Sequence, residues 1–298
     1  MARRSLSHYL AATLLTAVVL SSIALATDTP KERTPPAAEA APMPFIPSEQ
    51  LVYEGEFSKL LLRGIDIAEL RFKASRAPVA PAADGAAPAA PPQLILTSDV
   101  ESKGWFRKLF GINFRYHVET VVGGDAFNVL RTVKLDEQGK RVRASEALFD
   151  YAGKRVEWTE RDPHNQTQAP RVVTAALQGP TQDIVSAVYF LRTLDLKPGN
   201  SFDLSISDSG RVYQVPARVV AEKKKMKSVL GKVEVVRIEV ELFGPGRPVE
   251  EGKGKMFIWV TNDERHVPIK ARLSHQMGQL DITLKSHQRE PTQTAEAR

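Results

Sequence analysis

The residue types able to hold a metal or activate a nucleophile are spread thinly along this chain. His117, His164, His266, His275 and His287 fall on different segments, and no H-E-x-x-H pair puts two of them on one helical face. Cysteine is absent, which removes thiolate nucleophiles, disulfide frameworks, Cys-ligated zinc, iron–sulfur clusters and a lipid-modified N-terminal Cys. A Ser/His/Asp set can be assembled from distant positions, but no G-x-S-x-G elbow marks a serine as activated. Gly244-Pro245-Gly246 and Gly252-Lys253-Gly254 lead into strand-like sequence, so no helix N-terminus is available there for a phosphate. Hydrolysis of cell-wall or polysaccharide material by paired carboxylates needs two acids across a cleft. The turn Asp263-Glu264 is the candidate for it, although adjacent acids in a turn more often serve turn geometry and solubility. No catalytic residue, metal ligand or cofactor site is assigned from these patterns.

Two stretches suit binding better than catalysis. Trp105 to Ile112 holds three aromatics and the pair Arg107-Lys108 in eight residues, with neither strand alternation nor a clear cap. Trp105, Phe106 and Phe110, together with Tyr116 on the next strand and Tyr189 on a helix, are candidate contacts for an apolar ligand. The same stretch also reads as a segment covering one end of the core. Lys223-Lys224-Lys225-Met226-Lys227 is the dense charge run. Lys223, Lys224, Lys225 and Lys227 are candidate contacts for anionic lipid head groups or acidic envelope polymers. They also fit a solvated hairpin end, where lysines protect a sheet edge.

The 298 residues carry a formal charge of +6, and leaving out Arg3 and Arg4 with the rest of the first 26 residues lowers it to +4. Both signs alternate almost everywhere, so the basic face expected of a nucleic-acid binder is missing. Those first residues follow the three-part pattern of an export signal: Arg3 and Arg4, an apolar run from Tyr9 to Leu25, and the small-residue site Ala24-Leu25-Ala26. Cleavage after Ala26 is expected, which places the mature chain outside the cytoplasm without a transmembrane segment; an uncleaved membrane anchor is the alternative.

The elements that must position any site follow from hydropathy. Residues 27–49 are rich in Pro and Ala and read as an extended tether. Ala77 to Pro92 contains 8 Ala and 5 Pro and reads as a disordered insertion within a hairpin. Residues 290–298 read as a frayed tail. Across the single domain expected at 50–289, apolar residues alternate with polar ones: Ala68, Leu70, Phe72, Ala74; Phe114, Tyr116, Val118, Thr120, Val122; Val236, Ile238, Val240, Leu242; Leu280, Ile282, Leu284. Such strands have one dry and one wet face, as antiparallel sheets do. Turns at Asp136 to Gly139, Ala152-Gly153, Asp208 to Gly210 and Asn262 to Glu264 join them as hairpins. The pattern predicts roughly ten or eleven strands. One helix is expected over Thr181 to Leu194, with Ile184, Ala187, Val188 and Leu191 as its buried stripe, Gln182 outside that stripe, and Asp183 at the positive end of its dipole. The fold class expected is mainly β: a large antiparallel curved sheet or incomplete β-barrel with the helix packed on or in it.

Three stretches carry a family likeness: Leu51-Val52-Tyr53-Glu54-Gly55, the helix Asp183 to Arg192, and Gly252 to Ile269 with its strand, acidic turn and second strand beginning around Pro268. Together they resemble the bacterial envelope family called domain of unknown function 3108. That resemblance implies secretion to the periplasm and a mostly β fold, and it supplies no active site. The resulting expectation is a non-enzymatic periplasmic protein that binds a lipid, an acyl chain or another amphipathic envelope molecule. The alternatives are an assembly partner of other envelope proteins through a sheet edge and the carboxylate-dependent hydrolase.

Overall fold

A computed structural model of the chain describes residues 43–60, 62–77, 93–104, 113–123 and 127–289. The expected export signal, most of the tether, the Ala/Pro insertion beyond Ala77 and the tail lie outside these residues. One antiparallel sheet holds β1 (Glu49–Lys59), β2 (Leu62–Arg76), β3 (Gln93–Ser102), β4 (Phe114–Gly123), β5 (Asn128–Gln138), β6 (Arg141–Asp150), β7 (Arg155–Arg161), β8 (Arg171–Ala176), β9 (Ser201–Asp208), β10 (Arg211–Ser228), β11 (Gly231–Val240), β12 (Gly254–Thr261), β13 (Pro268–His275) and β14 (Gly278–Arg289). The strand count among the described residues is therefore fourteen and not ten or eleven. The shortfall arises where alternation is diluted, as in β8 (Arg171-Val172-Val173-Thr174-Ala175-Ala176), whose residues are largely exposed.

Every neighbouring pair follows the chain except one: β1 and β14 join in the middle of the sheet, where Glu49 lies opposite Arg289. The sheet edges are consequently β8 and β9, consecutive strands separated by the helical connection. Curvature brings the two ends together without a ladder between them. At the β9–β10 turn, Gly210 has φ +78° and packs so closely on β8 that a Cβ would lie 2.6 Å from that of Val173. A side chain there meets both a conformational and a steric barrier.

Helix α1 (Ile184–Thr193) connects β8 to β9 and packs inside the curve against β3, β4 and β9. Asp183 caps it: its carboxylate accepts from the Ser186 amide while the Ser186 hydroxyl accepts from the Asp183 amide, the reciprocal arrangement that satisfies two orphan donors. The predicted stripe is corrected. Val185, Ser186, Tyr189, Leu191 and Arg192 are buried, Ala187 and Val188 are half-buried, and Ile184 is 45% exposed. A helix held inside a curved sheet has walls on several sides, so a one-stripe pattern misassigns its faces. Val185 and Tyr189 join the core of the β2–β8 half with Phe45, Leu96, Val122 and Trp158. Leu191 joins that of the β9–β12 half with Leu204, Val219, Ile238 and Val260.

Gln182 is also inside, 1% exposed. Its amide donates to the Ser205 carbonyl at 2.9 Å and its carbonyl accepts from the Ser207 amide at 2.7 Å, which adds a short parallel bridge to the edge of β9. Its side-chain Nε2 donates to the Phe127 carbonyl at 2.9 Å. No helix among the described residues is long and apolar enough to cross a membrane.

Candidate functional site

Antiparallel register sets side chains of β2 to β7 in rungs across the concave face. One rung runs Phe72, Ser98, Val118, Lys134, Ser145. The next, deeper under the helix, runs Ala74, Leu96, Thr120, Thr132, Ala147, Trp158. The deeper rung fastens the helix N-terminus, because the hydroxyls of Thr120 and Thr132 both donate to Asp183 Oδ2, Thr132 at 2.6 Å. With Oδ1 on the Ser186 amide, the Asp183 carboxylate is fully engaged.

Above that contact lies a cavity of about 230 Å³ between the sheet, the first turn of α1 and the β9–β10 turn. Its walls are mainly apolar, with Leu70, Phe72, Val100, Val118 and Trp158 from the sheet and the half-exposed Ile184 from the helix. Its polar groups are Lys134, Asp183, Asp208 and several hydroxyls, among them Ser98, Ser145 and Ser207. Burial pushes the Asp208 carboxyl above the ordinary carboxylate range, opposed by the charge of Lys134 and by the Ser209 hydroxyl. Lys134 Nζ stands 5.7 Å from the centroid of the Tyr116 ring, whose hydroxyl accepts from Gln138 Nε2 at 2.7 Å.

The opposite end of α1 is held by charge. Arg192 and Glu49 have fully buried side chains. Nη1 of Arg192 donates to Glu49 Oε2 and Nη2 to Oε1 at 3.1 Å, a two-pronged contact. Its remaining donors reach the Arg265 carbonyl at 3.0 Å and the Pro44 carbonyl at 3.2 Å, and its guanidinium carbon lies 5.2 Å from the Phe45 ring centroid. His287 Nε2 approaches Glu49 Oε1 at 2.9 Å. Burial alone would raise Glu49, but hydrogen bonds and charge from His287 and Arg192 outweigh it and hold its carboxyl below the usual range.

Of the residues predicted to touch a ligand, Tyr116 lines the cavity. Tyr189 does not: it is fully buried against Phe45, ring centroids 4.9 Å apart, beside Arg192. It fills the core because the helix turns that face toward the sheet. Trp105, Phe106 and Phe110 lie outside the described residues. Lys224, Lys225 and Lys227 stand on β10 at the hairpin end, away from the cavity, with Lys225 Nζ 3.4 Å from Glu234; of Lys223 only the strand position is described. Asp263 of the candidate acidic turn is held by the Thr261 hydroxyl at 2.6 Å and by Arg265, which assigns it to turn geometry. Glu54, Glu56 and Asp66 cluster on β1 and β2, but Lys103 and Lys285 already pair with Glu54 there.

Lys134, Asp208 and the Asp183 contact were missed. A signal exists in β5, where Thr132, Lys134 and Asp136 share the concave face while Val133 and Leu135 point outward. That inverted alternation marks a wet patch inside an otherwise dry curve.

The family model described as "Protein of unknown function (DUF3108)" matches residues 87–285. No curated protein matches the chain. Among solved structures, a beta-barrel-like protein of domain of unknown function DUF1849 from Brucella abortus is similar, with a TM-score of 0.50 and 8% identity over 82% of this chain and 98% of that one. The likeness covers the curled sheet and is one of fold alone. With the family model spanning most of the folded part, the chain belongs to the DUF3108 family of proteins of unknown function.

Proposed function

We propose that this chain is exported to the periplasm and there binds, without catalysis, an apolar or amphipathic envelope molecule in the cavity beneath the N-terminus of α1. The observation that carries this reading is the 230 Å³ apolar cavity with the isoleucine at position 184 left half-exposed on it. Its volume falls just below the roughly 300–1,000 Å³ of common ligand pockets. That size suits one acyl chain or part of one, not a whole phospholipid. The export-signal pattern of the first 26 residues supplies the address.

Native mass spectrometry of the protein extracted gently from the periplasmic fraction tests both parts. The expected result is a mature N-terminus at Thr27 and a co-purified single-chain amphiphile, lost on Val118→Trp, which fills the cavity. An intact Met1 on a membrane-bound protein would overturn the address, and an empty wild-type cavity that also rejects added amphiphile would overturn the binding.

A second reading has its own observation. Among the described residues β8 pairs on one side only, whereas the outer edge of β9 is partly covered by Gln182. An assembly partner adding a strand to β8 would use the part of that edge left uncovered by the β9–β10 turn packed at Val173; a stoichiometric protein partner with an empty cavity in the same measurement favours it. The carboxylate-hydrolase reading has less support, since Asp183 is fully engaged in capping and Asp263 in its turn.

A further inference from the structure

Lys134 is a cation facing a mostly apolar cavity. Among the described residues no carboxylate lies within ion-pair distance of its Nζ, and its contact is with the face of the Tyr116 ring. Charges withdrawn from water are normally matched by a counter-charge. The carboxylates that share the cavity do not supply a full one: Asp183 is saturated by Thr120, Thr132 and the Ser186 amide, and Asp208, the last residue of β9, feels the charge of Lys134 but forms no ion pair with its Nζ, and burial disfavours its charged form. Ser145 lies opposite Lys134 on β6 and lines the same cavity, so a hydroxyl is offered on that face beside the lysine's rung.

Resting on the binding reading above, we propose that the ligand is a single-chain carboxylic acid whose carboxylate is received by Lys134 Nζ and the Ser145 hydroxyl while its chain lies along Phe72, Val100 and Val118. One lysine matches one negative charge. A phosphate head, with a second charge, would face Asp183 with no further cation lining the cavity. A neutral head would leave the lysine unmatched.

The test is isothermal titration of the purified protein with dodecanoate, 1-dodecanol and dodecyl phosphate, each below its aggregation threshold. A charge-assisted contact predicts that dodecanoate binds at least about tenfold more tightly than dodecanol, and more tightly than dodecyl phosphate. Lys134→Met should abolish the preference for acid over alcohol and Lys134→Arg should keep it, with thermal melts showing that both remain folded. Equal binding of acid and alcohol by the wild type, or tighter binding of the phosphate, would overturn the carboxylate assignment and leave the cavity reading standing. Failure of all three probes would overturn the cavity reading and this inference together. If Lys134→Met does not fold, the three wild-type affinities and Lys134→Arg still decide.

Discussion

The two ends of α1 are fastened by different chemistry. At the C-terminal end a full positive charge meets a full negative charge in a place without solvent: Arg192 and Glu49 are buried, and their contact joins the helix to the chain entering β1 and, through His287, to β14. At the N-terminal end one carboxylate is held by two neutral hydroxyls and an amide, and the first helical side chain is left half-exposed beside a cavity. A buried ion pair is intolerant of change because loss of either partner strands the other. Hydroxyl contacts have smaller penalties. The contrast assigns anchoring to the C-terminal end and leaves the N-terminal end free to be shaped by what it faces.

The sharpest way to break that contrast is Arg192→Met. It leaves Glu49 as an uncompensated buried carboxylate and should cost about 3–5 kcal/mol, read as a large fall in the urea midpoint. The double variant Arg192→Met with Glu49→Met should recover much of the loss, since well-packed apolar replacements of buried pairs are often neutral. A single variant with an unchanged midpoint would remove the anchoring role.

Next in size are two neighbours of the clasps. Leu191 is 4% exposed within the β9–β12 core, and Leu191→Ala should cost about 2–5 kcal/mol. Gln182→Ala, harmless on the sequence reading, is now expected to cost about 1–3 kcal/mol, because it deprives the buried Phe127 carbonyl of its donor. Matching midpoints for wild type and Gln182→Ala would restore the original reading of that residue.

Acid should act on the C-terminal clasp. The Glu49 carboxyl is held below its ordinary range in the folded state, so the stability it adds is complete above the ordinary carboxylate pKa and is lost as pH falls through the lower folded value. Unfolding free energy measured from pH 6 to pH 3 should decline, and Glu49→Gln should flatten part of that decline. A variant with the wild-type slope would show that other carboxylates carry the acid sensitivity.

The same contrast marks where the sequence was legible. Alternation and turn chemistry locate strands because each is written in adjacent residues: Asp208-Ser209-Gly210 is both the predicted and the observed turn between β9 and β10. Helix α1 and the family motifs are local in the same sense. Burial of its faces was not legible, since Ile184, Ala187, Val188 and Leu191 form a clean stripe only for a helix lying on one surface. Nor was the Glu49–Arg192–His287 contact, whose members are scattered along the chain and meet because β1 pairs with β14 beneath the helix. Lys134 lies between these cases: its outward-in alternation is local, but which face is concave is a property of the whole sheet.

The smallest expected change in stability separates packing from reception. Ile184 begins the helix, carries a large apolar side chain, and is 45% exposed while lining the cavity. If its role is in the core, Ile184→Ala should cost the roughly 2–5 kcal/mol typical of a buried branched residue. If its role is at the cavity, the exposed half contributes little to folding, so the urea midpoint should hardly move. The apolar surface it offers a bound chain disappears all the same, and burying a methylene is worth about 0.8 kcal/mol. Loss of two or three such groups weakens dodecanoate binding by roughly tenfold or more. Ile184→Ser should weaken it further, since a hydroxyl then faces the chain without a partner. Paired measurements on one preparation, a urea midpoint and a dodecanoate titration, give a helix N-terminus that matters to the ligand and not to the fold; a large midpoint shift with unchanged binding would place Ile184 with Leu191 in the core.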